Sequence, residues 1–175
     1  MPPPRQRVPA EAFGFWPESR FTQWLHERRG TPSSLGRAAE IERSAIRLAA
    51  GEWASEQDMH KDVAAALQFP DYYGHNLGAL NDCLGDVACY GPYDDSPVGT
   101  GLVLSITDYD RFVAACPRAA QVVLDIVADR ARRAAVLQRR FFCLIQCSDP
   151  DIRFEPAGAM PVMWNCDEWL DAERR

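Results

Sequence analysis

The sequence predicts an α/β domain in which a small three-stranded, mostly parallel sheet packs with about four helices. Three observations predict it: short apolar runs alternate with helical patterns, capping residues precede the helices, and 47% of the 175 residues are apolar. Alternating strands and helices are typical of parallel sheets, because each crossover helix returns the chain to the same edge of the sheet. The length is sufficient for one packed domain with additional segments.

The first half of the pattern contains one strand and two helices. Residues 44–48 are predicted to form the first strand, and a turn at 51–52 follows it. Ser55 predicts the cap of a helix over 55–67, because its hydroxyl can accept a hydrogen bond from the first turn. Asn76 predicts the cap of a second helix, which we expect to end near residue 85.

The second half contains two strands and two helices. Residues 101–106 are predicted to form a buried strand, and residues 108–115 a short helix. A longer helix is predicted over 119–139, and the run 141–145 predicts the third strand. The domain is therefore predicted to extend over residues 44–147.

The two ends of the chain differ from this domain in composition. Residues 1–43 begin with a segment rich in proline and arginine, and a short helix is predicted between Trp16 and Gly30. Residues 148–175 are rich in proline and contain Trp164 and Trp169, which we interpret as packing groups that cover the core. We expect both ends to be extensions of the central domain.

The acidic charge of the protein is concentrated in one interval. Residues 62–110 contain eight Asp and no Lys or Arg, whereas the rest of the chain carries 19 basic and 17 acidic residues. An acidic surface disfavours nucleic acid as a direct partner and favours a basic protein. No apolar run is long enough for a membrane span, so we expect a cytoplasmic protein without membrane contact.

The cysteines and histidines do not form a recognisable catalytic or metal-binding pattern. None of the six cysteines belongs to a Cys-x-x-Cys pair or has zinc-ligand spacing to a histidine, so we expect reduced thiols and no metal or cofactor. One enzymatic alternative is a Cys–His nucleophile pair made of Cys83 and His75, with Asp82 adjacent to the cysteine. Helix geometry opposes it, because positions 75 and 83 are about two turns apart and Cys83 belongs to the apolar face. We therefore expect a binding protein and not an enzyme.

A proline-led aromatic loop that runs into a helix is the most distinctive motif. Its residues, 69–84, read FPDYYGHNLGALNDCL. The predicted helix places Leu77, Leu80 and Leu84 towards the core, which leaves Gly78, Asn81 and Asp82 on the opposite face with Tyr72 just before it. From charge and spacing alone, this face is either an ordinary solvated surface or a binding surface.

The segment 70–84 resembles the signature of the barstar family, whose prototype is an intracellular inhibitor of the ribonuclease barnase. Many identities are shared within fifteen positions, and the strand and helix pattern of residues 44–147 is also similar to that family. The resemblance implies a barstar-like fold, and a monomer when free of its partner. It also implies inhibition of a basic extracellular-type ribonuclease, or of a related toxin, by an acidic loop–helix surface.

The resemblance also implies which residues meet the partner. These positions are Tyr72, Asn76, Gly78, Asn81, Asp82 and Asp129. Two of them depart from the family, since Gly78 replaces an acidic residue and Asn81 a tryptophan, and Asp129 stands where the prototype has Glu. The departures favour an alternative, namely a binding or immunity module for a different toxin or regulatory protein. Asp129 has a local alternative as well, because Arg132 and Arg133 lie one helical turn away.

Overall fold

A four-stranded parallel sheet organises the part of the chain that the structure describes. The structure is a computed structural model, and it describes residues 13–15, 45–91, 101–149 and 152–162. The strands follow the order β1-β4-β3-β2, and every neighbouring pair is parallel. Their bounds are β1 (Phe13–Phe15), β2 (Ala45–Ala49), β3 (Gly101–Thr107) and β4 (Arg140–Ile145).

The predicted α/β fold with a three-stranded parallel sheet is confirmed by β2, β3 and β4. The short strand β1 was not predicted, and it adds residues of the N-terminal segment to the free edge of β4. Three consecutive residues give too short a pattern to be recognised in a sequence. The predicted helix between Trp16 and Gly30 and the two tryptophans near the C-terminus lie outside the described residues.

Four α-helices are present in the described ranges, as the sequence predicted. They are α1 (Glu56–Leu67), α2 (Leu77–Tyr90), α3 (Tyr109–Ala115) and α4 (Pro117–Val136), and a 3-10 turn (Ala50–Glu52) follows β2. The Ser55 hydroxyl accepts from the Asp58 amide at 3.2 Å and thereby caps α1. The helix α2 continues to Tyr90, beyond its predicted end, because Gly85 is an interior position packed beneath a side chain of α4.

The core lies between the sheet and the helices, and it positions α2 against α4. On α2, Leu80, Cys83 and Leu84 are buried, as the apolar pattern of the sequence predicted. They belong to the same hydrophobic cluster as Val127 of α4 and Ile106 of β3. Full burial of each such aliphatic side chain contributes about 1.5–3 kcal/mol, so the opposite side of α2 is held firmly towards solvent.

The loop between α1 and α2 is anchored by the buried side chain of Tyr73. The Tyr73 ring packs edge-on against Phe69, with ring centroids 4.9 Å apart. Its hydroxyl lies 2.5 Å from Nδ1 of His60, which is fully buried on α1. The other ring nitrogen of His60 lies 3.3 Å from a Glu56 carboxylate oxygen. The loop is therefore attached to α1 from inside the protein.

Burial lowers the pKa of His60, while the hydrogen bond and the charge of Glu56 act in the opposite direction and His75 adds a smaller lowering effect. In the neutral ring, Nδ1 accepts from the Tyr73 hydroxyl and the Nε2–H donates to Glu56. The unfolded chain takes up the proton near the ordinary pKa of 6.5, so His60 stabilises the fold above that pH. Its contribution is lost as the pH falls through the lower pKa of the folded state.

We expect the free energy of unfolding to decrease as the pH is lowered from about 7 to about 5, with His60 responsible for part of the slope. The substitution His60→Gln should flatten the pH dependence, because the new side chain does not titrate. Urea unfolding at several pH values measures both slopes. The matched control is Val63→Ala, which removes a buried side chain that does not titrate from the same helix and should keep the wild-type slope. Equal slopes in the wild-type protein and His60→Gln would contradict this assignment.

Candidate protein-binding surface

Five of the six predicted partner-binding residues lie together on the loop before α2 and on the solvent side of that helix. We call them the α2 face: Tyr72, Asn76, Gly78, Asn81 and Asp82. The Tyr72 side chain is 74% exposed although its neighbour Tyr73 is buried. An exposed aromatic side chain on an anchored loop is typical of residues that contact a protein partner.

The loop is ordered by hydrogen bonds before any partner arrives. The Tyr73 amide donates to the Pro70 carbonyl at 2.9 Å and forms a tight turn. Farther along, the Gln57 side chain of α1 donates to the His75 carbonyl at 3.3 Å. At Gly74 a Cβ atom would lie 2.9 Å from Nδ2 of Asn76, so a larger residue would displace that side chain. A preformed loop lowers the entropy cost of binding.

The Asn76 side chain forms one hydrogen bond with the loop and one with the first turn of α2. Its Oδ1 accepts from the Ala79 amide at 2.9 Å and caps α2, as the sequence predicted. Its Nδ2 donates to the Gly74 carbonyl at 3.1 Å. Much of its hydrogen-bonding capacity is therefore used inside the protein, and we expect Asn76 to act on a partner mainly by positioning its neighbours.

Asp82 provides the accessible negative charge of the α2 face. It is exposed, and no Lys or Arg of the described ranges lies within ion-pair distance of it. The Asn81 amide donates to its carboxylate at 3.4 Å, which is a long hydrogen bond between neighbours. Gly78 contributes no side chain. The α2 face therefore carries one carboxylate that is held on a rigid helix and is available to a cation.

Asp129, the sixth predicted residue, lies on α4 and is engaged by neighbouring arginines. Its carboxylate lies 2.5 Å from Nη2 of Arg130 and 3.6 Å from Nη2 of Arg132. The pairing with Arg132 agrees with the local alternative drawn from the sequence. The pairing with Arg130 was not expected, and no pairing with Arg133 is seen. The carboxylate is still 44% exposed, so part of its surface faces solvent.

Arg130 is a residue whose role the sequence did not reveal. Its side chain is only 12% exposed, whereas Arg132 and Arg133 on the same helix are exposed. It lies across Gly85 of α2, where a Cβ atom would be 3.0 Å from Nη1. Arg130 thus fills the contact between α2 and α4 and carries a positive charge beneath the acidic face. The sequence predicts the end of this helix near Gly85, so it gives no signal of a close approach in the interior of α2.

The C-terminal segment 152–162 lies along α4. The Gly158 amide donates to the Asp125 carboxylate at 2.7 Å, and Arg132 donates to the Gly158 carbonyl at 2.7 Å. Ala157 is buried, and Phe154 packs against the core near Tyr109. Arg132 therefore connects this segment to Asp129.

The nucleophile pair considered from the sequence is not assembled as a site. Cys83 is buried on the core side of α2, whereas His75 is exposed and its ring packs on Tyr73. Burial raises the pKa of two other thiols, Cys143 and Cys147, to about 12. Within the described ranges, no group of three or more potential metal ligands is found. No helix there has the length and apolar character needed to cross a membrane.

We expect Arg132→Gln to loosen the C-terminal segment, because the Gly158 carbonyl loses its charged donor. The cost to the free energy of unfolding should stay below about 1 kcal/mol, since Arg132 is half exposed and solvent screens its charge. Amide hydrogen exchange at Gly158 should become faster. The control is Arg118→Gln, at the exposed start of α4, which should leave Gly158 unchanged. Unchanged exchange in Arg132→Gln would show that the hydrogen bond to Asp125 protects the Gly158 amide without a contribution from Arg132.

Comparison with known proteins assigns the fold to a family. A sequence model of the family described as Barstar (barnase inhibitor) matches residues 43–146, which is more than half of the chain. The matched range contains the α2 face and Asp129. The comparison with curated proteins found no match. The family match and the parallel α/β architecture lead to one conclusion: the chain belongs to the barstar family.

Proposed function

We propose that the protein inhibits a cognate ribonuclease inside the cell that produces the enzyme, and that it does so by covering the active site with the α2 face. Proteins of this family are inhibitors and not enzymes. The observation that carries the proposal is the exposed carboxylate of Asp82, which no cation of the described residues neutralises. The partner is a basic ribonuclease or a related toxin.

The chemistry of the proposal is mimicry of a phosphate. A ribonuclease must hold a phosphodiester, so its cleft is lined with positively charged side chains. A carboxylate on a rigid helix can take the place of one phosphate and accept charge-assisted hydrogen bonds from arginine. The acidic interval 62–110 adds long-range attraction, which accelerates association and weakens as salt is added.

A second candidate function keeps the surface and changes the partner. Gly78 offers no side chain, Asn81 is small, and Asp129 is shared with two arginines. The α2 face and Asp129 together therefore have fewer free charges and less aromatic surface than the resemblance implies for the family. These features favour a binding or immunity module for a toxin or regulatory protein other than a barnase-type ribonuclease.

The proposal is tested by titrating the purified protein into a barnase-type ribonuclease and following RNA cleavage at low and moderate salt. We expect stoichiometric inhibition that weakens with salt. Asp82→Ala should weaken binding by about 2–5 kcal/mol, which is at least about thirtyfold, because the opposing cation is left buried without a partner. The control Glu52→Ala removes one exposed negative charge outside the α2 face and should have little effect.

Two results separate the candidate functions. Absence of inhibition at micromolar protein would favour a different partner for the same surface. Inhibition that Asp82→Ala leaves unchanged would show that another face of the protein covers the ribonuclease.

Gly78→Asp should restore a carboxylate to the α2 face. We expect tighter inhibition of a basic ribonuclease at low salt. We also expect a gain of about 0.3–1 kcal/mol in stability, because the first turn of α2 contains no acidic residue. A Cβ atom at this position would lie 3.2 Å from Oδ1 of Asn76, so the capping side chain must shift slightly. Gly78→Asn is the control of equal size, and equal affinities for the two variants would argue against a cation opposite residue 78.

A further inference from the structure

A groove continues from the α2 face towards the C-terminal ends of α2 and α4. We call it the α2–α4 groove, and its volume is about 530 Å³. Its lining includes two acidic residues and one aromatic residue of α2, and one basic and two aliphatic residues at the end of α4. They are Asp82, Asp86, Tyr90, Arg133, Val136 and Leu137.

Exposed apolar side chains are concentrated in this groove. Tyr90, Val136 and Leu137 are 70%, 82% and 53% exposed. The described residues contain two other large exposed apolar side chains, Tyr72 on the α2 face and Met160. Single exposed apolar residues are normal on a protein, but a cluster rimmed by charges marks an interaction surface.

The two sides of the groove carry opposite charges. Asp82 lies on the α2 side. The exposed guanidinium of Arg133 lies on the α4 side, and no carboxylate of the described ranges forms an ion pair with it. Arg130 also lines the groove, but it is largely buried and paired with Asp129. A partner that is uniformly basic would meet attraction at Asp82 and repulsion at Arg133.

We infer that the α2–α4 groove binds a segment of the partner protein in which a large apolar side chain lies between a basic and an acidic residue. The basic residue meets Asp82, the acidic residue meets Arg133, and the apolar side chain covers Tyr90, Val136 and Leu137. Burial of the apolar side chain supplies most of the affinity, and the charge pairs set orientation and partner choice. The inference rests on the proposed function in one respect: both require that a protein partner binds on this side of the molecule.

A labelled synthetic peptide tests the inference without a ribonuclease. The peptide carries a tryptophan flanked by leucines, with an arginine on one side and a glutamate on the other, and its matched control has glutamine in place of the glutamate. Fluorescence anisotropy with the full chain should show tighter binding of the glutamate peptide. Arg133→Glu should lose about tenfold in affinity, the value of one charge-assisted contact, and should remove the preference for glutamate.

The matched control variant is Arg118→Glu, which changes the net charge equally at the exposed start of α4, outside the groove. Its affinity should stay within about twofold of wild type. Amide chemical shifts should change upon peptide addition in residues 85–90 and 130–137. Shifts confined to other regions, or equal losses in both charge variants, would overturn the inference.

Absence of peptide binding at millimolar concentration would also overturn the inference. This holds even if the cause is that another segment of the same chain fills the groove, because the groove is then closed to a partner. The failures of the two proposals are distinguishable. Ribonuclease inhibition without peptide binding rejects only the groove. Peptide binding without inhibition of any barnase-type ribonuclease rejects only the proposed enzyme target.

Discussion

The buried contact between Tyr73 and His60 is the constraint on which the proposed binding surface depends. It joins the loop to α1 from the inside, and the packing of Tyr73 on Phe69 closes the same position to water. Tyr73 is buried while its neighbour Tyr72 is 74% exposed, so the loop that Tyr73 anchors presents Tyr72 at the surface. The anchored loop then delivers Asn76 to the start of α2, where its side chain caps the helix. A buried hydrogen bond thus orients an exposed surface.

The charges around this surface are distributed over two helices with different roles. The carboxylate on α2, Asp82, stays available to a partner, while Asp129 on α4 is held by arginines on its own helix. Arg130 uses its aliphatic stem and guanidinium to fill the space above Gly85, so it contributes to packing as well as to charge. The proposed binding surface is therefore acidic at α2 and mixed in charge towards α4, which would restrict the proteins that fit both regions.

Segments outside the central domain pattern contribute to the same framework. The strand β1 extends the sheet beyond β4, and the segment 152–162 follows α4 and reaches Asp129 through Arg132. A change in that segment can therefore alter the charge next to the binding surface without any direct contact with the partner. This arrangement gives the C-terminal part of the chain a physical connection to the proposed function.

The sequence by itself determined the elements that depend on neighbouring residues. The spacing of apolar residues and the capping residues located β2, β3, β4 and the helices. A strand, a helix turn or an Asn cap depends only on residues a few positions apart in the chain. The apolar pattern of the sequence also distinguished the buried side of α2 from the side that carries Asp82. Only the tertiary structure decided that Arg130 lies buried over Gly85, and that Asp82 and Arg133 line one groove together with exposed apolar side chains. These features arise between helices that are about forty residues apart in the chain, and no local pattern records which side chains such a packing brings together.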